Sequence, residues 1–186
     1  GTVLATKTCM VSSHDWARRW GTLRAGTSAD NAGLFITPMT AGRYDVDIVS
    51  LVPEKTFRGH RNGLRADLAQ AIADIHPKFV RFPGGCVAHG QGIDNFYRWN
   101  NNIGPLYARK PMKKLWGYHQ TMGLGYYEYF QFCEDIGAEP WPVVAAGVPC
   151  QNSNCIPGKL LGGGQQGGIP MEDMDEYVQD ILDLID

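Results

Sequence analysis

The residues with the clearest potential for chemistry stand where a short apolar run ends. Residues 79–82, with the strand-like sequence Phe-Val-Arg-Phe, are followed at once by Pro83, Gly84, Gly85 and Cys86. Proline and paired glycines end a strand, and glycine lets a ligand approach the backbone closely. The thiol of Cys86 is the first side chain beyond the turn, so we expect it to face the floor of a pocket. A small buried thiol without a ligand is the alternative.

The cysteines form no clear metal site or disulfide framework. They stand at positions 9, 86, 133, 150 and 155. Cys150 and Cys155 are close enough in sequence to close a small disulfide loop in an oxidising compartment, and two thiols are the equal alternative. A zinc site needs four ligands, and His89 and His119 are far from this pair in sequence. We therefore expect neither a metal nor a cofactor.

The elements that must position these residues alternate between helix and strand. Helices are predicted over about residues 63–75, 124–136 and 174–185, and buried strands over residues 79–82 and 141–146. Asn62 is predicted to cap the first helix and Gly137 to end the second. A long loop follows each strand, over residues 83–123 and 147–168. A (β/α) barrel binds its ligands with loops placed in this way, at the carboxyl ends of its strands.

Residues 1–56 show a different pattern, in which short predicted strands are separated by glycine and asparagine turns. These strands cover residues 3–11, 19–24, 34–36 and 44–48. Four strands make a poor sandwich by themselves, because each sheet needs a partner face. We therefore interpret the region as the end of a β-sandwich module. Trp16, Trp20 and Tyr44 are predicted to lie in its core rather than on a sugar-stacking platform.

Composition and charge exclude several classes of partner. The formal net charge is -2, with 17 Lys and Arg against 19 Asp and Glu, whereas nucleic acid binding depends on clustered basic residues. The only dense basic cluster, Arg109-Lys110 with Lys113-Lys114, is predicted to lie on a solvated loop. No apolar run approaches the ~20 residues of a membrane span. The chain starts at Gly1 without an apolar leader, so its location stays unknown, with a secreted or periplasmic one favoured.

Several runs of residues occur together in a recognisable order and spacing. They are Asp47 to Phe57, Asn62 to Leu68, Arg81 to Cys86, Trp99 with Ile103 to Pro105, Trp116 to Thr121, Gly123 to Gly125, and Phe132 to Pro140. Over about residues 43–186 these runs resemble the α-L-arabinofuranosidases of glycoside hydrolase family 51. Residues 145–152 resemble bacterial members of that family in particular.

The resemblance implies a retaining glycosidase built on a (β/α)8 TIM barrel. Residues 57–186 would form the N-terminal part of the barrel, about strands 2 and 3 with their flanking helices, and residues 1–56 would form the C-terminal part of a carbohydrate-binding-like sandwich. In the family, the acid/base Glu ends the fourth strand and the nucleophilic Glu ends the seventh. Both are therefore expected outside this chain, as in an internal fragment.

The distribution of acidic residues points the same way. Retaining hydrolysis needs two carboxyl groups about 5 Å apart. In the loops after the two predicted strands, Asp94 is the only acidic residue of residues 83–123, and residues 147–168 contain none. No catalytic residue is therefore assigned in this chain.

What the resemblance leaves in this chain is one wall of a sugar-binding pocket. Gly85 would let the sugar ring approach the backbone, and Cys86 would touch the arabinose. Trp99 would offer a flat apolar face, and Asn100 to Asn102 would offer amides for sugar hydroxyls. His89 replaces a Glu that many members of the family carry.

The full-length protein would release terminal α-L-arabinofuranosyl residues from arabinan or arabinoxylan by double displacement, without a cofactor. Its partner would be an arabinofuranosyl-containing oligo- or polysaccharide, and not nucleic acid or a membrane, while a homo-oligomer stays open. The alternatives are a non-catalytic carbohydrate-binding protein and a small redox or metal protein that uses Cys150 and Cys155. We expect the chain by itself to bind little arabinose and to hydrolyse no arabinofuranoside.

Overall fold

The chain divides into two compact units, Gly1–Glu54 and Lys55–Asp186. The computed structural model describes residues 1–114, 116–150 and 168–185. None of the helices in these three ranges has the length and apolar character needed to cross a membrane.

The first unit contains none of the four strands that its sequence predicts. Residues 1–54, all of them described, form no helix or strand. Trp16 and Trp20 are 76% and 84% exposed, so their predicted place in a core is wrong as well. A strand is held by hydrogen bonds to a neighbouring strand, and alternating side chains alone do not supply them. The β-sandwich module itself stays a prediction.

The second unit alternates helices and strands, which confirms the predicted α/β class. Single 3-10 turns connect several of its elements. In chain order the helices and strands are α1 (Ala66–Asp74), β1 (Phe79–Phe82), α2 (Gly85–His89), β2 (Met112–Lys113), β3 (His119–Gln120), α3 (Tyr126–Ile136), β4 (Glu139–Pro142) and α4 (Met174–Leu182).

The strands form two small sheets. β1 and β4 are parallel, with Phe79 opposite Glu139 and Phe82 opposite Pro142. β2 and β3 form a short antiparallel pair. The helix α3 connects to β4 and contacts both β4 and β1, so β1, α3 and β4 make a parallel β-α-β unit.

Aromatic side chains fasten α3 to this sheet. The ring of Tyr129 stacks on Phe82 with centroids 4.8 Å apart, and its hydroxyl donates to the carbonyl of Val80 at 2.6 Å. The Tyr126 hydroxyl donates to the carbonyl of Val143 at 2.8 Å. Because buried hydroxyls need partners, these bonds set the position of α3 along the strand direction as well as its distance from the sheet.

The second strand of the parallel sheet begins and ends earlier than its apolar run predicts. It covers Glu139–Pro142 instead of residues 141–146. Its partner β1 ends at Phe82, and the last bond between the two segments runs from the Val143 amide to the Phe82 carbonyl at 2.7 Å. Pro83 has no amide hydrogen to continue the ladder. The length of β4 is therefore set by its partner and not by its own hydrophobicity.

The start of α1 also differs from the prediction, whereas the end of α3 agrees with it. The Asn62 side chain does not cap α1 and instead donates to the Gly123 carbonyl at 2.7 Å. The Phe57 amide donates to the Leu64 carbonyl at 2.9 Å, which holds the residues before α1 extended. Gly137 ends α3 in the left-handed conformation, with φ 67 and ψ 36.

Half of the predicted basic cluster is buried, which corrects its assignment as a solvated loop: Lys110 and Lys113 are exposed as predicted, but the other two side chains are not. Arg109 is 7% exposed and Lys114 is 3% exposed. The two guanidinium Nη atoms of Arg109 donate to the two carboxylate oxygens of Glu128, at 2.8 and 2.7 Å. Burial opposes ionisation of Glu128, but hydrogen bonds from Arg109, Asn62 and the Gly125 amide together hold its pKa below the ordinary value.

The second buried cation, Lys114, has no such carboxylate within ion-pair distance among the described residues. Its Nζ lies 5.5 Å from the ring centroid of Tyr97 and donates to the sulfur of Met112 at 3.2 Å. Both contacts are weak compared with hydration of an ammonium group. Desolvation by burial accordingly lowers the pKa of Lys114 to about 8.

The depressed pKa of Lys114 predicts that the protein becomes more stable as pH rises from about 8 toward 10. In that range the unfolded chain, with an ordinary Lys pKa of 10.5, binds a proton that the folded chain has lost, so the free energy of unfolding increases with pH. Above about pH 10 ionisation of the unfolded tyrosines opposes the rise, because burial raises the pKa of Tyr129 to about 12. Urea unfolding at stepped pH measures the effect.

The matched variant is Lys114→Met, which keeps most of the length of the side chain and removes its charge. At neutral pH we expect its free energy of unfolding to exceed that of the parent protein by about 1 to 2 kcal/mol. Between pH 8 and 10 we expect that free energy not to rise. An equal rise in the variant would show that another group causes it.

Candidate functional site

The turn after β1 places open space beside the backbone. Gly84 has φ 102, a conformation that L side chains rarely adopt, and it takes the chain from β1 directly into α2. A Cβ added at Gly85 would meet only the guanidinium of Arg81, at 3.9 Å. The chain therefore has room at Gly85 for a group from outside the described residues. The predicted approach of a sugar ring to this backbone stays a prediction that the geometry allows.

Cys86 follows in the first turn of α2 and is partly exposed. Its thiol interacts with that of Cys150, and this hydrogen bond, together with burial, raises the pKa of Cys86. Cys150 itself is 1% exposed. Cys155 lies outside the described residues, so the predicted pairing of Cys150 with Cys155 does too.

The segment that carries Cys150 runs beside α2. The Cys150 amide donates to the Gly90 carbonyl at 3.0 Å, and His89 Nδ1 donates to the Val148 carbonyl at 2.6 Å. Cys86 follows β1 and Cys150 follows β4, and parallel strands end at the same edge of their sheet. The two loops meet at that edge.

Trp99 and Asn100 lie together in a 3-10 turn that is bound to α4. The indole Nε1 of Trp99 donates to the Asp180 carbonyl at 2.6 Å, and the Asn100 amide donates to the Asp180 carboxylate at 3.1 Å. Trp99 also packs against the core around Tyr97 and Tyr126. The structure thus gives both residues a structural partner, and their predicted contact with sugar is untested.

Asn102, by contrast, is not accessible to a sugar hydroxyl. It is fully buried, at 0% exposure. Its side-chain oxygen accepts from the Tyr126 amide at 2.8 Å, and its amide donates to the Arg98 carbonyl at 2.7 Å. The side chain therefore satisfies an amide at the start of α3, which would otherwise lack a partner.

An exposed aromatic pair was missed by reasoning from the sequence. Trp116 and Tyr118 are 58% and 55% exposed, and their rings stack 6.1 Å apart with an angle of 14° between their planes. They flank Gly117, whose φ of 83 forms the turn between β2 and β3. Two aromatic residues on either side of a turn glycine, in a long loop after a strand, are the feature that could have indicated this surface.

The described carboxylates provide no pair suited to glycoside cleavage. Glu128 is bound to Arg109 in the core, and Asp135 contacts His60 at 2.7 Å. Asp94 lies exposed in the loop after β1, and Glu139 opens β4 at the end of the sheet away from that loop. The described part of the chain therefore leaves open space beside Gly85 but offers no acid and nucleophile there.

Comparison with known proteins gives a consistent set of relatives. A family model described as the alpha-L-arabinofuranosidase 1 domain matches residues 71–186. An extracellular exo-alpha-L-arabinofuranosidase of Streptomyces chartreusis is 37% identical over 98% of this chain and 22% of its own length. Alpha-L-arabinofuranosidase 1 of Arabidopsis thaliana is 38% identical over 78% of this chain and 22% of its own. The chain thus spans about a fifth of the length of these relatives.

A solved structure agrees with the sequence relatives. It is an arabinose-bound α-L-arabinofuranosidase of family GH51, which superposes with a TM-score of 0.59 at 38% identity and covers 69% of this chain and 18% of that one. The family model alone covers more than half of the chain, and the resemblance seen in the sequence names the same family. The chain therefore belongs to the α-L-arabinofuranosidases of glycoside hydrolase family 51.

Proposed function

We propose that the protein containing this chain is a retaining α-L-arabinofuranosidase and that this chain supplies one wall of its sugar-binding pocket. The observation that carries the proposal is the open space beside Gly85, at the carboxyl end of β1 and next to the partly exposed Cys86. Family membership indicates which sugar such a space would hold. Terminal α-L-arabinofuranosyl residues of arabinan or arabinoxylan are the proposed substrate.

The proposed architecture is a (β/α)8 barrel in which β1 and β4 are the second and third strands. Their parallel register, and the meeting of the loops that follow them, support this assignment, because barrel enzymes bind substrate with the loops at the carboxyl ends of their strands. Residues 1–56 are proposed to be the end of a sandwich module that precedes the barrel.

The acid/base and nucleophile of the proposed reaction belong to other strands of the barrel. A retaining enzyme needs two carboxyl groups about 5 Å apart, and Asp94 is the only described carboxylate in the loops that follow β1 and β4, residues 83–125 and 143–170. We therefore expect the chain by itself to hydrolyse no aryl arabinofuranoside.

Export of the full-length protein is proposed as well, since the Streptomyces relative is named an extracellular enzyme.

Trp116 and Tyr118 are proposed to bind the polysaccharide beyond the terminal sugar. Their exposed, nearly parallel rings offer apolar ring faces to solvent, and such faces suit the apolar faces of sugar rings. Both rings lie in the loop that follows β1, which is also the loop that begins with the proposed pocket wall.

Substitution of Gly85 by valine tests the proposal. In the full-length protein, the Cβ of Gly85→Val would have only the Arg81 guanidinium within 4 Å among the described residues, so we expect the thermal midpoint to hold and kcat/KM for an aryl α-L-arabinofuranoside to fall at least tenfold (about 1.4 kcal/mol). The control is Gly26→Val, since nothing lies within 4 Å of a Cβ at Gly26. It should leave kcat/KM unchanged.

The outcomes separate the alternatives. Normal kcat/KM in a folded Gly85→Val variant would place the pocket elsewhere. A full-length protein that binds arabinose, as measured by calorimetry, but hydrolyses no arabinofuranoside would be a non-catalytic carbohydrate-binding protein, and the proposed enzyme activity would be wrong.

A further inference from the structure

Cys86 and Cys150 come from segments 64 positions apart in sequence (150 minus 86) that are joined through one glycine. The Gly90 amide donates to the Cys86 carbonyl at 3.0 Å, and the Gly90 carbonyl accepts from the Cys150 amide at 3.0 Å. The bond from His89 to the Val148 carbonyl holds the same two segments together. Backbone hydrogen bonds thus hold the two segments that carry the cysteines side by side.

Gly90 is itself tightly constrained, so this arrangement is not a loose contact. It is buried and has φ 59. A Cβ at this position would collide with the carbonyl of Asn95. Only glycine combines a positive φ with the absence of a Cβ. Gly90 thereby lets the segment of Cys150 lie against α2. The thiols of Cys86 and Cys150 meet across this junction.

The two thiols differ in access. Cys86 is partly exposed, whereas Cys150 is 1% exposed. A reagent from solution can therefore reach Cys86 first, and Cys150 is positioned behind it. Among the other described cysteines, Cys133 is fully buried beside Tyr129 and Cys9 is exposed.

We propose that Cys86 and Cys150 are a redox modification site that closes to a reversible intramolecular disulfide on exposure to a small-molecule disulfide such as oxidised glutathione. Disulfides require side chains that already approach each other, and the junction at Gly90 provides this approach. The modification does not depend on whether the protein cleaves arabinofuranosides.

The chemistry is two successive thiol–disulfide exchanges. The Cys86 thiolate attacks one sulfur of glutathione disulfide, which forms a Cys86–glutathione mixed disulfide and expels one glutathione thiolate. The Cys150 thiolate then attacks the Cys86 sulfur, which forms the Cys86–Cys150 bond and expels the second. Two protein thiols are oxidised by two electrons, one glutathione disulfide is reduced to two thiols, and the two protons lost by the cysteines end on glutathione.

Differential alkylation with mass spectrometry tests the proposal on the whole chain. The protein is reduced with a phosphine, freed of reductant, exposed to oxidised glutathione in mildly alkaline buffer, alkylated and digested. We expect a cross-linked peptide pair containing Cys86 and Cys150, at least a tenfold fall in alkylation of Cys86, and full recovery after dithiothreitol. Cys133→Ser should behave as the parent, while Cys150→Ser should stop at the Cys86–glutathione adduct.

Two results would overturn the proposal. One is a cross-link between Cys150 and Cys155 with Cys86 still fully alkylated. The other is a stable glutathione adduct on Cys86 in the parent protein with Cys150 still a thiol, as found for Cys150→Ser. Because the parent protein is read directly, neither result depends on the folding of a variant.

The effect of the disulfide on enzyme activity rests on the proposed function and is measured in a separate assay. If Cys86 lines the sugar pocket, closing the disulfide should lower kcat/KM of the full-length enzyme at least tenfold, with recovery after dithiothreitol. A disulfide that forms while kcat/KM stays constant would remove Cys86 from the pocket and leave the modification site in place.

Discussion

Replacing Arg109 by leucine is expected to destabilise the protein by about 3 to 5 kcal/mol, the usual cost of removing one partner of a buried ion pair. The substitution leaves the carboxylate of Glu128, which is 5% exposed, without its guanidinium. It also removes the donors to the carbonyls of Gly104 and Met122, at 2.9 and 2.8 Å. Urea unfolding followed by fluorescence measures the loss.

Arg65→Leu is the matched control because Arg65 also pairs with a carboxylate, that of Asp67 at 2.6 Å. Both side chains of this pair are more than half exposed, so water replaces the lost contact and the unfolding midpoint should hardly move. If Arg109→Leu were no more harmful than Arg65→Leu, the Arg109–Glu128 pair would not be buried in solution. A smaller loss in Arg109→Leu with Glu128→Leu than in Arg109→Leu alone would confirm that the stranded carboxylate causes the penalty.

Replacing Gly125 by alanine is expected to cost about 3 kcal/mol or more, which combines overpacking with the loss of a buried hydrogen bond. A Cβ at Gly125 would collide with the backbone carbonyl of Asn102, and it would also lie 2.9 Å from the Asn102 side-chain oxygen. Backbone atoms cannot move away cheaply, so Asn102 would leave the Tyr126 amide that it now caps. The expected result is a lower unfolding midpoint with an unchanged denaturant slope.

Gly123→Ala is the control for this substitution, two positions earlier in the same loop. Its Cβ would meet only the Thr121 hydroxyl, at an ordinary 3.5 Å, and alanine restricts the unfolded chain more than glycine does. We expect stability to stay within about 1 kcal/mol of the parent. Equal losses at Gly123 and Gly125 would mean that loop flexibility, and not the contact with Asn102, accounts for the effect.

Elements with a strong local pattern were predictable. The helical spacing of apolar residues located α1, α3 and α4 to within a few residues, and Gly137 ends α3 as its position indicated. A repeat of 3.6 residues and a left-handed glycine are properties of a short window, so no distant partner is needed to recognise them. The motifs from residue 43 onward likewise indicated the family that the comparisons show.

Boundaries that depend on a partner were not predictable. The strand β4 stops where β1 stops, although its own apolar run continues. The alternating pattern of residues 1–54 produced no strand, since a β-ladder needs a second strand in register. Asn62 was assigned a local helix cap and Asn102 a contact with sugar, whereas their side chains bond to residues more than 20 positions away.

The sequence by itself determined the α/β class, the strand that leads to Gly85 and Cys86, and the family, because periodicity, turn residues and motif spacing are written along the chain. Only the tertiary structure decided that Arg109 and Lys114 are buried, that α4 holds Trp99 and Asn100, and that Cys150 meets Cys86. Each of these facts joins segments far apart in sequence. Burial and side-chain partners depend on which segments pack together, and no local pattern carries that information.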